Sequence, residues 1–428
     1  MSYFSQMQTF TAVFLTALAL TLGLRLWLAR RHIQHIARCR SQVPEDFAEH
    51  IGLAAHQKAA DYSTDKTRLG RIDLAIGALF LLALTLGGML QALHDFWLRF
   101  FASGSHAQGI ALIVSVALIS GLIDLPLSLY RTFVIEARYG FNKMTLRLFF
   151  ADLAKQTLLG AALGLPLLLC VLWLMQRMGE QWWLYVWVTW IVFNLSVLTV
   201  YPTLIAPLFN EFTPLEDDGL KNRIEALLAK CGFTARGLFV MDSSRRSSHG
   251  NAYFTGFGAS KRIVLFDTLI ARLAPAEIEA VLAHELGHFK HHHVWKRMAA
   301  LFAMSLAFLW LLGYAMKQDW FYAGLNVQSH STALALLLFF LVVPVFTFLL
   351  NPLTSLYSRK HEFEADAYAA QHASPADLIR ALVKLYQDNA ATLTPDPLYS
   401  AFYDSHPPAL VRIARLQGAR MQALAQPA

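Results

Sequence analysis

Seven runs of about twenty apolar residues recur along this chain, at roughly 9–28, 73–93, 109–130, 156–176, 182–206, 298–316 and 332–356. Each is long enough to cross a hydrocarbon core about 30 Å thick as a helix. Lipid offers no partner to a backbone amide, so such runs must satisfy their own hydrogen bonds, which a helix does and an open strand does not. The composition agrees: 15% of the 428 residues are charged and 56% are hydrophobic, against about 25% charged in soluble domains. The expected fold class is an all-α multi-span membrane protein with seven transmembrane helices.

The first run is followed, not preceded, by arginines (Arg25, Arg30, Arg31), so it reads as an uncleaved span whose downstream side is cytoplasmic. The basic segments 29–72 and 131–155 agree with that orientation, and the loops on the other side hold little: Arg99 in one, Arg177 in the next and Lys317 in the last. Seven spans then place the N-terminus outside and the polar segments 207–297 and 357–428 in the cytoplasm. This topology accounts for most of the net charge of +7, with attraction to anionic lipid heads taking up the rest, so no nucleic-acid partner is expected. The spacing of Cys39, Cys170 and Cys231 matches no zinc-finger or disulfide framework. Asp124, two residues before Pro126 in the third run, is a functional suspect as an intramembrane acid, and near a span end it reads more readily as a capping or pairing residue. Asn194 and Pro202 are expected to break the fifth run.

The chain divides accordingly: spans one to five over 1–206, a polar segment over 207–297, spans six and seven over 298–356, and a second polar segment over 357–428. Helical spacing predicts a helix over 219–233, and residues 236–244 read as a strand. Residues 251–270 read as two short strands around a Gly-rich turn. The stretch opening at Pro275, with Glu277 and Glu279 in its first turns, predicts a helix through the histidines that follow. Residues 358–373 and 375–390 predict two more, and the tail from Gln417 is expected to fray.

Five of the ten residues from His284 to His293 are histidines. His284, Glu285 and His288 form H-E-x-x-H. On a helix the two histidines lie one turn apart on nearly the same face, so their ring nitrogens can converge on one ion. Glu285 projects beside them, placed to take a proton from an attacking water without ligating the metal. A catalytic zinc has three protein ligands and one open position. The stretch HEFEAD (361–366) offers the missing one: Glu362 and Asp366 share a helical face and Glu364 points almost oppositely. One acid can ligate and the other can hold the far nitrogen of a histidine ligand. H-E-x-x-H lies about 15 Å of helix before span six, and Glu362 about 9 Å after span seven. The two spans form a hairpin, so both half-sites emerge on one side of the membrane. His291, His292 and His293 read as an interfacial polar cluster with no metal.

Six strings in order, FVIEARYGFNKMT (133–145), IAPLFNEFTPL (205–215), HGNAYFTGFGASKRIVLFDTL (249–269), HELGHFKHHH (284–293), SRKHEFEADAYA (358–369) and SHPPALVRI (405–413), resemble the signature segments of the type I, zinc-dependent integral-membrane CAAX prenyl endopeptidases, in their bacterial-type form. The resemblance implies seven helices enclosing a large chamber, closed on the cytoplasmic side by a small α+β zincin-like protease domain made from the two polar segments. It makes Glu362 the third ligand of one Zn2+ per chain and Asp366 its supporting acid. It places His406 and Arg412 near the substrate carbonyl, and Asn251, Ala252 and Tyr253 along the substrate groove. Physical chemistry supports those roles less sharply. A cation or imidazolium stabilises the oxyanion of peptide hydrolysis, and an exposed edge strand can pair with an extended peptide.

The expected function is a zinc-dependent membrane endopeptidase acting at the cytoplasmic interface, with CAAX-type C-terminal processing implied by the resemblance. Its partners are a peptide or protein substrate, with or without a prenyl group, and the lipid bilayer. Two alternatives stand beside it: a quality-control protease for membrane proteins, and a transporter or lipid-binding protein with a vestigial metal site.

Overall fold

The computed structural model describes residues 3–235, 237–255 and 262–425. Among them, six helices are long and apolar enough to cross a membrane: Ser5–Cys39, His106–Glu136, Leu146–Arg177, Gly179–Leu208, His293–Ala315 and Thr332–His372. A seventh span forms if Leu53–Leu84 and Met89–Trp97, bent by 54° at their junction, are taken together. The run at 73–93 is therefore not one straight helix. Gly88 takes a left-handed φ of 74°, and a Cβ on Gly87 would meet the Ala83 carbonyl oxygen at 2.8 Å, so the Gly-Gly pair is what permits the bend.

Asn194 does not interrupt the fifth span: its side-chain amide donates to the Trp190 carbonyl at 2.7 Å, and the helix runs Trp182–Val200 before widening through Tyr201–Ile205, where Pro202 sits. The third span likewise widens at Arg131–Glu136, a few residues after Pro126. Asp124 is exposed. A core of Phe14, Leu84, Leu90, Leu112, Leu172, Leu312 and Leu334 ties the spans together.

The polar segments join one four-stranded sheet to a group of helices. The strands are β1 (Phe212–Pro214), β2 (Leu238–Met241), β3 (Ala252–Thr255) and β4 (Arg262–Phe266). Their order is β1-β2-β4-β3. β4 is central, parallel to β2 and antiparallel to β3, and its Ile263, Val264 and Leu265 are buried. Among the described residues β3 is an edge strand. The Gly-rich turn expected between β3 and β4 lies outside the described residues. Ile224, Ile263, Leu265, Ala283, Leu286, Tyr368 and Ala369 form the core beneath the sheet.

Two helices in that core matter most. The first, Pro275–Lys290, starts as its sequence predicts: Pro275 occupies the first helical position and Glu277 Oε2 accepts from the Ala274 amide at 2.8 Å. The second, Asn351–His372, continues the last span through a short tight turn at Phe348–Leu350. The C-terminal helix, Ala409–Ala425, extends through the residues expected to fray.

Candidate metal centre and active site

The two helices meet at their smallest residues. Gly287 lies against the backbone of Ala365, so closely that a Cβ on Gly287 would sit 2.8 Å from Ala365 Cα. Ala283 and Ala365 are both fully buried. This approach carries the H-E-x-x-H face of one helix onto Glu362 of the other.

His284 Nε2 and His288 Nε2 lie 3.2 Å apart. Glu362 Oε2 is 3.5 Å from the first and Oε1 is 3.5 Å from the second. Metal–ligand bonds of about 2.0–2.1 Å at tetrahedral angles separate ligand atoms by about 3.4 Å, which is the spacing found. Glu362 is 2% exposed, and its Oε2 is buried with no hydrogen-bond donor. A buried carboxylate oxygen without a donor costs free energy unless a cation satisfies it. Two imidazoles and one carboxylate are also the donor set that zinc accepts. The residues fit a zinc ion.

The atoms facing away from this triangle are held as well. His284 Nδ1 donates to Asp366 Oδ1 at 2.9 Å. Asp366 is fixed in turn by Arg412, whose Nε donates to Oδ2 at 2.8 Å and whose Nη2 donates to Oδ1. Arg412 is buried, and its Nη1 comes within 3.9 Å of Glu362 Oε2. Burial works against a charge on His284, but the Asp366 and Glu362 carboxylates outweigh it and push the imidazole up to about 9. His288 has no such pair; burial, with the charge on His284, holds it down to about 3. Burial also raises the Glu285 carboxyl, the direction that suits a proton acceptor working near neutral pH.

A cavity of about 350 Å³ opens beside the triangle, with Asn251, Ala252, His284, Glu285, Glu362, Tyr386, His406 and Arg412 in its wall. His406 Nε2 lies 3.5 Å from Glu362 Oε1, and its side chain is exposed. Most of the expected residues thus line one space, with His288 and Asp366 set behind its wall in contact with Glu362 and His284. Tyr253 is not part of that wall. It follows Ala252 on a strand, where successive side chains point to opposite faces, and its ring stands edge-on to Phe266. The Asn251 side chain turns back on its own strand, its Oδ1 accepting from the Ala252 amide at 2.8 Å. The contacts of Arg412 also differ from those of a residue aimed at a substrate carbonyl, because two of its three nitrogens serve Asp366.

Sequence reasoning missed several participants. His293, placed in an interfacial cluster, comes within 2.9 Å of His288, Nδ1 to Nδ1. Glu364 points away from Glu362 as expected, yet reaches His293 Nε2 at 2.8 Å. Asn389 Oδ1 accepts from the Gly250 amide and meets His249 Nδ1, steadying the approach to Asn251. Tyr386 stands in the cavity wall. The glycine of H-E-L-G-H was a usable signal, since a Gly inside a strongly helical stretch marks a close approach.

Residues 32–211 match the family described as CAAX prenyl protease N-terminal, five membrane helices, and residues 214–420 match peptidase family M48. The chain belongs to peptidase family M48. It is 42% identical over 302 residues to the CAAX prenyl protease 1 homolog of Arabidopsis thaliana, covering 70% of this chain and 71% of that one. It is 35% identical over 395 residues to the probable CAAX prenyl protease 1 of Schizosaccharomyces pombe, covering 89% and 83%. The crystal structure of S. mikatae Ste24p superposes with a TM-score of 0.87 at 30% identity, over 97% of this chain and 99% of that one. This M48 member is an integral, multi-pass membrane zinc endopeptidase, and its substrates are peptides or proteins.

Proposed function

We propose that this endopeptidase removes a short C-terminal peptide beyond a prenylated cysteine at the cytoplasmic membrane interface, using one zinc ion per chain held by His284, His288 and Glu362. The single observation that carries the site is the triangle, at 3.2–3.5 Å, of two imidazole nitrogens and one buried carboxylate whose Oε2 has no hydrogen-bond donor. Zinc bound there supplies Lewis acidity that activates a water and polarises the scissile carbonyl. Glu285 takes the proton of the attacking water and returns it to the leaving amine. His406, open to the cavity, donates to the developing oxyanion. Arg412 acts through Asp366, holding the carboxylate that keeps His284 Nδ1 protonated and Nε2 free to ligate. Asn251 and Ala252, at the start of β3, line the cavity, and the outer side of β3, without a partner strand among the described residues, is where an extended substrate would add.

The cytoplasmic placement rests on the arginine-rich segments after the first and third spans. Prenyl specificity rests on the relatives, which are named CAAX prenyl proteases. A second cavity of about 610 Å³ shares Tyr386, Ala391 and His406 with the first and extends to Arg25 and Lys66 of the membrane helices, so a substrate has room on the membrane side of the site. The test is cleavage-site mapping by mass spectrometry on farnesylated and unprenylated peptides of one sequence, with and without chelator. Chelator-sensitive cleavage next to the prenylated cysteine is expected. Equal cleavage of both peptides would replace this reading with general membrane-protein proteolysis.

A further inference from the structure

The helix bearing H-E-x-x-H ends at Lys290, and the next begins at His293. Between them His292 adopts a left-handed conformation, φ 55°, which L side chains rarely take. That turn folds the chain back so that His293, 1% exposed, stands beside His288. His293 Nδ1 lies 2.9 Å from His288 Nδ1, and its Nε2 lies 2.8 Å from Glu364 Oε2.

With both imidazoles neutral, only one placement of protons satisfies both contacts. If His293 Nδ1 donated to His288, its Nε2 lone pair would face the Glu364 carboxylate, and His288 would carry its proton on Nε2, towards His284 and Glu362. In the reverse placement His288 Nδ1–H donates to His293 Nδ1, and His293 Nε2–H donates to Glu364. His288 Nε2 is then a bare lone pair directed into the triangle. His284 reaches its carboxylate, Asp366, directly; His288 reaches one through an intervening imidazole. We propose that His293 and Glu364 are positioning residues that fix the tautomer and ring plane of His288 for metal binding. His361 holds the middle ring in place, stacked on His293 with centroids 4.0 Å apart and planes 12° apart.

His293, His361 and Glu364 could instead be taken for a second metal site, since their ligand atoms lie within 4.8 Å of one another. The stacking argues against it. Imidazole lone pairs lie in the ring plane, so two face-to-face rings do not converge on one ion, and both nitrogens of His293 are already engaged.

The relay rests on the ligand reading of His288, and its test separates the two. Zinc stoichiometry and affinity are measured on full-length protein in detergent by chelator competition, and the ligand field by the visible spectrum of the cobalt-substituted protein. His293→Ala should weaken metal binding by roughly 10–100-fold and alter the cobalt spectrum, lowering kcat more than it changes KM. His293→Asn, whose amide oxygen can stand where Nδ1 stands, should recover most of the affinity. Glu364→Gln should fall between, and it supplies the reading if the alanine variant does not fold. One zinc per chain is expected in every variant. Wild-type affinity and spectrum in both His293→Ala and Glu364→Gln would overturn the relay alone. Two zinc ions in wild type falling to one in His293→Ala would replace it with a second metal site. A wild-type protein that binds no zinc would sink the ligand reading itself.

Discussion

Replacing Gly287 with Ala tests whether the metal triangle depends on how closely two helices approach. The added Cβ would meet Ala365 Cα at 2.8 Å and both Ala365 O and Tyr368 Cβ at 3.1 Å. Carbon atoms rest at about 3.5–4.0 Å, so the helices must part by about 0.7 Å or more. His284 and His288 each reach Glu362 at 3.5 Å, already near the roughly 3.4 Å spacing of tetrahedral ligands. The same displacement takes Glu362 to about 4.2 Å from one or both, beyond the span of one ion. Overpacking costs about 1–3 kcal/mol, while Ala in place of a helical Gly returns about 1 kcal/mol. Global stability should therefore change little, by about 0–2 kcal/mol, while the site opens. Chelator competition should show zinc affinity down by at least about tenfold, and peptide turnover should fall about 100-fold, as a misplacement near 1 Å typically causes. Thermal unfolding in the same detergent controls for folding. A folded variant with wild-type affinity and turnover would refute the claim that this contact sets the site.

Glu285→Gln should keep its zinc by elemental analysis and lose turnover by about 100- to 10,000-fold; retained cleavage would remove Glu285 as the proton acceptor. His284→Ala and Glu362→Ala should each reduce bound zinc, and unchanged metal content in either would exclude that residue from the ligand set. Arg412→Ala leaves the buried Asp366 carboxylate with the His284 Nδ1–H as its remaining partner, so it should cost stability by up to about 3–5 kcal/mol together with zinc affinity. If turnover alone fell, Arg412 would return to a carbonyl-facing role. Zinc added to apo-protein near pH 7.5 should release close to one proton. His284, pushed up to about 9, is charged there and must lose its Nε2 proton, whereas His288, held near 3, is already neutral. Calorimetry in buffers of different ionisation enthalpy reads that number, and the His284 contribution to it should disappear above about 9.

Much of this protein could be read from local pattern because each signal involves residues close in sequence. A run of twenty apolar residues has no folded alternative in lipid but a helix. Two histidines four apart share a helical face wherever that helix lies. The Gly87–Gly88 pair, which the reading of the second run as one span passed over, is where that run bends. Asn194, by contrast, looked like a breaker and was not, because its amide found the Trp190 carbonyl one turn back.

The sequence by itself settled which residue types are available for zinc chemistry and that the last two spans return them to one side of the membrane. Only the tertiary structure decided which acid faces which imidazole. Glu362, Glu364 and Asp366 are near neighbours on one helix, and helical periodicity separates their directions without saying what lies there. Packing Gly287 against Ala365 does say: it puts Glu362 between the two Nε2 atoms, Asp366 under His284, and Glu364 within reach of His293. A left-handed turn at His292 and an arginine 46 positions beyond Asp366 complete the arrangement. These contacts join elements far apart in the chain, and their geometry depends on helix separations of tenths of an ångström, which no short-range periodicity encodes.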